Sequence, residues 1–325
     1  MGGSNLVGRP DFLQLIGQVQ KLQNSEFNFA MSWTGVVNFE PAEGMFTFGD
    51  FWVQGALASR MPIVGHPLVW GAGVFPDWMK AGRYATRAGL IDAMTTYIQT
   101  VMAHYAGQFR SWVVVNEYNA PWGDRFYDVI GPDYLEIAFS VARRTDPSAK
   151  LIYNDTSNHD ASLPRYAATH QIVDRLNAAN LIDEVGLQMH LGSGPIDHGR
   201  VIDAMRSYGL PVIVTEFDVN LKDVAGSDSE RYAYQASMYS EALTAALYSN
   251  VCEEFIVFQT GDQFSVWEDP AQGPNYSPKA DPTPFYDDLS PKPAYFAMRD
   301  VLNKLLAPDP RLRPNRISAP AVGRD

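Results

Sequence analysis

Trp112-Val-Val-Val-Asn-Glu117 restricts the fold more than any other stretch of the chain. Consecutive β-branched residues are stiff at χ1, and such an apolar run suits a strand buried on both faces, as in an all-parallel sheet. A buried strand has no internal use for an amide followed by a carboxylic acid. At its C-terminal end, Asn116 and Glu117 would project into the mouth of a parallel βα barrel, where that fold keeps its catalytic groups. Pro211-Val-Ile-Val-Thr-Glu-Phe-Asp218 repeats the design and closes on Glu216. Glutamate is a poor turn residue and an expensive one to bury, so two in matched positions call for a purpose. They are the raw material of a two-carboxylate glycosidase.

The rest of the chain supplies the alternation that such a barrel needs. Hydrophobic spacing predicts helices over residues 11–22, 51–58, 87–105, 133–144, 165–179, 201–208, 229–248 and 293–306. Strands are predicted over 27–31, 61–64, 112–116, 151–153, 185–189, 211–216 and 254–258. An eighth, opening strand has only Gly2 to Val7 to draw on, which is poor strand material. No linker or composition break occurs before residue 306, so the expectation is one α/β domain, a single (β/α)8 TIM barrel over 1–306. Residues 307–325, rich in Pro and Arg, read as a surface tail.

Composition narrows the function classes. Hydrophobic content of 46% and charged content of 19% exclude disorder. A net charge of −12 argues against nucleic acid or an anionic membrane as partner, and suits a neutral substrate such as a polysaccharide. The single cysteine, Cys252, allows no internal disulfide and no thiolate cluster, and is expected to be a small buried residue. The histidines lack ligand spacing, so neither metal nor cofactor is expected. No run of roughly 18 apolar residues is present, and Met1 to Asn5 lacks the features of a signal peptide. The expected protein is a monomer, either cytoplasmic or the trimmed form of a secreted one.

Polar residues gather at the predicted strand ends: His66, Asn116 with Glu117, Asn154 with Asp155, Gln188 with His190, and Glu216 with Asp218. For Asn154 and Asp155 the ordinary reading is a turn former or helix N-cap. His190 with Asp218 fits a different task, an aspartate orienting a histidine that donates to Glu216 and keeps it ionised. Trp70, Trp78, Trp122 and Trp267 fall in predicted loops beyond strand ends, where flat rings could stack on sugars. Each alone is more often core packing.

These stretches resemble a known family. Trp112-Val-Val-Val-Asn-Glu117 is similar to the acid/base motif W-D-V-V-N-E of glycoside hydrolase family 10, the endo-1,4-β-xylanases, and Val214-Thr-Glu216-Phe-Asp218 to its T-E-L-D nucleophile motif. Asp146-Pro-Ser-Ala-Lys-Leu-Ile-Tyr-Asn-Asp155, Val185-Gly-Leu-Gln-Met-His190 and Gly65-His-Pro-Leu-Val-Trp70 match further family motifs, in family order. The resemblance implies an eight-stranded barrel, a retaining mechanism, Glu117 as acid/base and Glu216 as nucleophile. It makes His66, Trp70, Asn116, Gln188, His190, Asp218 and Trp267 candidates for binding substrate or supporting the glutamates.

The departures cluster on the glycone side. Where the family has E-N-x-M-K-W, this chain reads Met31-Ser-Trp-Thr-Gly-Val36. Gly71 stands where the family has histidine, and Phe258 to Ser265 replaces its W-G-x-x-D-x-x-S, with the tryptophan displaced to Trp267. Gly35 and Gly71 are expected to open space beside the nucleophile, and Met31, Trp33 and Val36 to make it apolar. The reading is a retaining hydrolase of β-1,4 linkages, with xylan or xylo-oligosaccharides leading. The alternatives are a β-glycosidase or glucanase with another glycone, and a sugar-binding protein on a retired enzyme fold.

Overall fold

The computed structural model describes residues 30–73, 75–270 and 276–306. The helix expected over 11–22, most of the strand expected over 27–31, the candidate opening strand and the tail lie outside them. The strands are β1 (Ala30–Trp33), β2 (Ile63–His66), β3 (Val69–Trp70), β4 (Ser111–Asn116), β5 (Lys150–Asp155), β6 (Glu184–Leu187), β7 (His190–Leu191), β8 (Val212–Val219) and β9 (Cys252–Val257). Every pairing between them is parallel. The wall of the barrel runs β1-β2-β4-β5-β6-β8-β9, each strand beside its neighbour in the chain. Short β3 and β7 resume the lines of β2 and β6 beyond a break, against the ends of β4 and β8.

Helices return the chain between strands: α1 (Val36–Phe39), α2 (Asp50–Ala58), α3 (Arg87–His104), α4 (Arg125–Ile130), α5 (Tyr134–Thr145), α6 (Tyr166–Ala178), α7 (His198–Ser207), α8 (Asp228–Ser249) and α9 (Pro293–Leu306). Helix α8 opens on a capping box, in which Ser227 and Glu230 satisfy each other's backbone donors. Gly209 follows α7 with φ of 68°, the left-handed turn expected of it.

Two cores result. The larger fills the space between sheet and helices, with Leu151, Tyr153, Val185, Val212 and Val214 against residues such as Ile98, Phe139, Ile172 and Tyr239. The smaller lies inside the barrel and consists of Val64, Val113, Ile152 and Ile213, with Met31 and Ile256 packed on it. Strand alternation then predicts what sits one layer higher. Two residues on from Val64, Ile152 and Ile213 come His66, Asn154 and Thr215. The barrel is thus apolar at mid-height and polar at the C-terminal mouth. At the opposite end Glu184, almost fully buried, takes Arg110 and Lys150, which also reach Glu253. That cluster belongs to the face that stabilises barrels.

Both glutamate strands break the alternation. On β4, Val113 and Val115 face adjacent residues of β5, Ile152 and Tyr153, so one residue is extra. Val114 and Val115 both point outward, and the phase is reset so that Asn116 pairs with Asn154 at the mouth. On β8, Val214 and Phe217 face Phe255 and Val257, leaving one residue over between them. The extra residue lets Thr215 and Glu216, neighbours in sequence, both address Asn154. β8 therefore does not stop at Glu216, as expected from its sequence, but runs on to Val219. Cys252, expected to be buried, opens β9 and is only partly covered.

Candidate active site

Glu117 follows the last residue of β4 and has φ of 56°. Asn119, Ser157, Met189 and Gln259 are also left-handed, and they follow β4, β5, β6 and β9 at the same rim. Non-glycine residues seldom take this conformation, and it concentrates where function requires it. The turn aims the Glu117 carboxylate into the mouth, where three donors meet it. Trp70 Nε1 donates to Oε2 at 2.8 Å, Trp122 Nε1 to the same oxygen at 3.2 Å, and Gln188 Nε2 to Oε1 at 2.8 Å. Burial pushes the pKa of Glu117 up; Gln188 and Trp70 work against this, and the carboxylates of Glu216 and Asp155 reinforce it.

Glu216 has the opposite surroundings. Asn154 Nδ2 donates to Oε1 at 2.7 Å, His66 Nε2 lies 3.4 Å from Oε1, and His190 Nε2 lies 3.3 Å from Oε2. Burial would raise its pKa, but the two histidines and Asn154 outweigh it and hold the group below the ordinary glutamate value. His190 is partly buried, and the desolvation disfavours its charge. Asp218, 3.0 Å from Nδ1, and Glu216 overcome that and push its pKa up to about 10. His190 is therefore an imidazolium at neutral pH, while burial drives the His66 pKa down. Trp267 Nε1 donates to Asp218 Oδ2 at 2.6 Å and its ring stands edge-on to His190, fixing the pair.

A chain of amides connects the two acids. Asn116 Oδ1 accepts from Asn154 Nδ2 at 2.8 Å and from Gln188 Nε2 at 3.3 Å, so Glu117, Gln188, Asn116, Asn154 and Glu216 form one network. Gly186 makes room for it, because a Cβ there would stand 2.3 Å from Asn154 Oδ1. Behind the network Asp155 pairs with Arg165 at 2.7 Å and accepts from Tyr153. Arg165 Nη2 also donates to the Tyr118 carbonyl at 2.7 Å, which pins the backbone next to Glu117.

The structure thus brings together Glu117, Glu216, His66, Trp70, Asn116, Gln188, His190, Asp218 and Trp267. Asn154 and Asp155 are not the turn former or helix cap expected of them. They are buried, the first on the nucleophile candidate and the second anchoring the Glu117 loop. A signal for Asn154 was present, since it lies two residues beyond the inward-facing Ile152. Trp78 does not join the site: its Nε1 donates to the Glu40 carbonyl at 2.9 Å and its ring packs on Tyr84. Among the described residues no group of three or more His, Cys, Asp or Glu could hold a metal ion. No described helix is long and apolar enough to cross a membrane.

The glycone-side expectations fare unequally. Gly71 opens no space, because a Cβ on it would stand 1.7 Å from Asp124 Oδ1. Asp124 is buried and held by the Asn119 amide at 2.8 Å and the Tyr134 hydroxyl at 2.6 Å, so it cannot withdraw cheaply. Met31 packs on the inner core rather than lining a sugar pocket, and the side chain of Trp33 lies outside the description. Gly35 and Val36 border an apolar cavity of about 80 Å³, but its walls include Leu68, Met79, Met94, Tyr97 and Phe126 of the larger core and neither Glu216 nor its partners, so it is not space beside the nucleophile candidate. Restoring histidine at Gly71 is therefore expected to destabilise the fold by about 1–3 kcal/mol or more, read as a lowered Tm. An unchanged Tm would mean that Asp124 moves freely.

Comparison with known proteins places this geometry. The family model described as "Glycosyl hydrolase family 10" matches residues 20–301. Endo-1,4-beta-xylanase A of Xylanibacter ruminicola is 35% identical over 228 residues, 64% of this chain and 61% of that protein. Endo-1,4-beta-xylanase C of Paenibacillus barcinonensis is 30% identical over 294 residues, 80% of this chain and 27% of that protein. The chain thus spans less than two thirds of either relative. The crystal structure of xylanase 10B from Thermotoga petrophila in complex with xylobiose superposes with a TM-score of 0.80 at 25% identity, covering 92% of this chain and 91% of that one.

Proposed function

The chain belongs to glycosyl hydrolase family 10, and on that premise we propose that it hydrolyses β-1,4 linkages of xylan or xylo-oligosaccharides with retention at the anomeric carbon. The observation that carries this reading is the contrast between the two glutamates. Glu216 lies against the His190 cation and an amide donor, which favour its ionised form. Glu117 is pushed towards its protonated form by burial. A retaining glycosidase needs one carboxylate and one carboxylic acid flanking the bond.

In the first step a Glu216 oxygen attacks the anomeric carbon as the glycosidic C–O bond breaks, and the Glu117 proton passes to the leaving oxygen. Glu117, now a carboxylate, takes a proton from water as that water's oxygen attacks the same carbon and releases Glu216. Two inversions leave the configuration unchanged. Asn154 and His190 hold Glu216 in place through both steps, and Gln188 does the same for Glu117.

A second reading, broader glycone tolerance, rests on the sequence, where Gly35 and Val36 replace lysine and tryptophan of the family pattern. Release of reducing sugar from xylan, β-glucan and aryl β-xylosides and glucosides tests both. Xylan and xylosides ahead by more than about a hundredfold support the first reading; rates within that range support the second. Stabilisation by xylo-oligosaccharide without any hydrolysis would replace both with a sugar-binding protein.

A further inference from the structure

Trp122 is an exposed tryptophan with a polar contact that an ordinary surface residue lacks. More than half of it, 55%, is open to solvent, yet its Nε1 donates to Glu117 Oε2 at 3.2 Å. It sits between β4 and α4 on a loop whose base is anchored, the Asn119 amide donating to Asp124 at 2.8 Å. The tip is a turn closed by the Gly123 amide donating to the Ala120 carbonyl at 3.0 Å, and the space beside Gly123, whose φ is 121°, is open.

Counting acceptor sites shows what this contact does. An ionised carboxylate offers about two lone-pair sites on each oxygen. On Glu117 the Oε2 sites are both taken, by Trp70 and Trp122, and Gln188 takes one on Oε1. A proton carried on Oε2 requires one of its donors to leave. Trp70 is held closer, at 2.8 Å, and is paired with Asn116 as part of β3. The Trp122 contact is the longer, and Trp122 is the more exposed, of the two. Its position also fixes which sugar it meets. The acid touches the leaving oxygen; Trp70 reaches the acid from β3 in the barrel wall, whereas Trp122 reaches it from the exposed loop after β4, where a leaving-side sugar has access to its ring. Trp267, bonded to Asp218 behind the nucleophile, belongs to the other side.

We propose that Trp122 is a displaceable cap on Glu117: its N–H occupies Oε2 in the free protein, and an incoming leaving-side sugar displaces that N–H and stacks on the indole face. The cap and the platform are one residue in two positions, which ties occupation of the leaving side to protonation of the acid at Oε2; Oε1, with one donor, keeps a free site. The proposal rests on the assignment of Glu117 as acid/base. Glu216 from β8 and Asp155 from β5 also face Glu117, and the amide of Gln188 and the indole of Trp70 complete its surroundings.

The test combines a titration and a rate comparison on the whole chain. Carboxyl-labelled glutamate NMR, with the Glu117 signal assigned through Glu117→Gln, follows Glu117 in the wild type, Trp122→Phe and Trp122→Ala. Loss of the donor N–H is expected to raise the Glu117 midpoint by about half to one pH unit in Trp122→Phe, which keeps a ring over the acid; in Trp122→Ala the rise should be smaller, because the acid is also less buried. In Trp122→Ala, kcat/KM for xylo-oligosaccharides should fall about tenfold more than for an aryl glycoside that presents no leaving-side sugar. Trp122→Phe, which keeps a ring, should recover most of that difference. A midpoint in Trp122→Phe that stays at the wild-type value overturns the cap. Equal losses on both substrates in Trp122→Ala overturn the platform. If the wild type hydrolyses neither substrate, the catalytic reading fails and the platform with it, while the NMR midpoint still decides the cap.

Discussion

Replacing Glu216 by alanine is expected to lower turnover on every substrate by roughly 10⁵-fold or more, the scale of losing a covalent nucleophile. The surrounding carboxylates offer no substitute. Glu117 is already held by three donors, and Asp218 is committed to His190 and Trp267. The loss should not depend on the leaving group, because even an activated aryl glycoside needs something to attack the anomeric carbon. The substitution leaves the His190 cation and the Asn154 amide facing an empty space, so thermal unfolding must accompany the kinetics. A folded Glu216→Ala protein that retains activity on aryl glycosides would refute the assignment.

Glu117→Ala should behave differently, and the difference identifies the residue. Its loss should lower activity on unactivated oligosaccharides by about 10²–10⁴-fold, the usual contribution of general acid–base catalysis. A dinitrophenyl glycoside needs no proton on its leaving group, so its first step should be spared and the glycosyl-enzyme should accumulate as a burst. Azide, which needs no general base, should restore turnover and yield the β-glycosyl azide. An α-azide would rule out retention. The pH profile gives the same assignment by another route. With the proposed roles, activity requires Glu216 ionised and Glu117 protonated, so it should fall on the acid side as Glu216 gains a proton and on the basic side as Glu117 loses its own. Glu216 is held low and Glu117 is pushed up, so the two limbs are spread apart beyond the ordinary glutamate range. Glu117→Gln should abolish the basic limb for aryl substrates. If the limb persists, His190, whose pKa is pushed up to about 10, is the group to examine.

Much of the molecule was legible one residue at a time. The alternation of helix and strand, the parallel order and the placing of both glutamates at one rim follow from local apolar periodicity, which the tertiary structure does not override. Helix α9, Pro293–Leu306, has the limits its sequence predicts, and most other elements differ by a few residues at the ends. The site was legible where motif residues carry the contacts, as with His190 and Asp218. It was not legible where the partner is remote or unremarkable in type. Asp124 carries no motif, and its occupation of the space beside Gly71 could not be read from Gly71 itself.

The sequence by itself determined which residues are apolar, at what period, and which carboxylates end the buried runs. Those properties belong to single side chains and their spacing, and they suffice to specify a barrel with a polar rim. Beyond the His190–Asp218 pair, only the tertiary structure decided how the glutamates are held. Asn154 reaches Glu216 across 62 residues of sequence, and Gln188 reaches Glu117 across 71. The extra residues in β4 and β8 have no marker in composition, because a bulge arises from how two strands match each other. They reset which side chains face inward, and so place Asn116 and Glu216 on the same amide network.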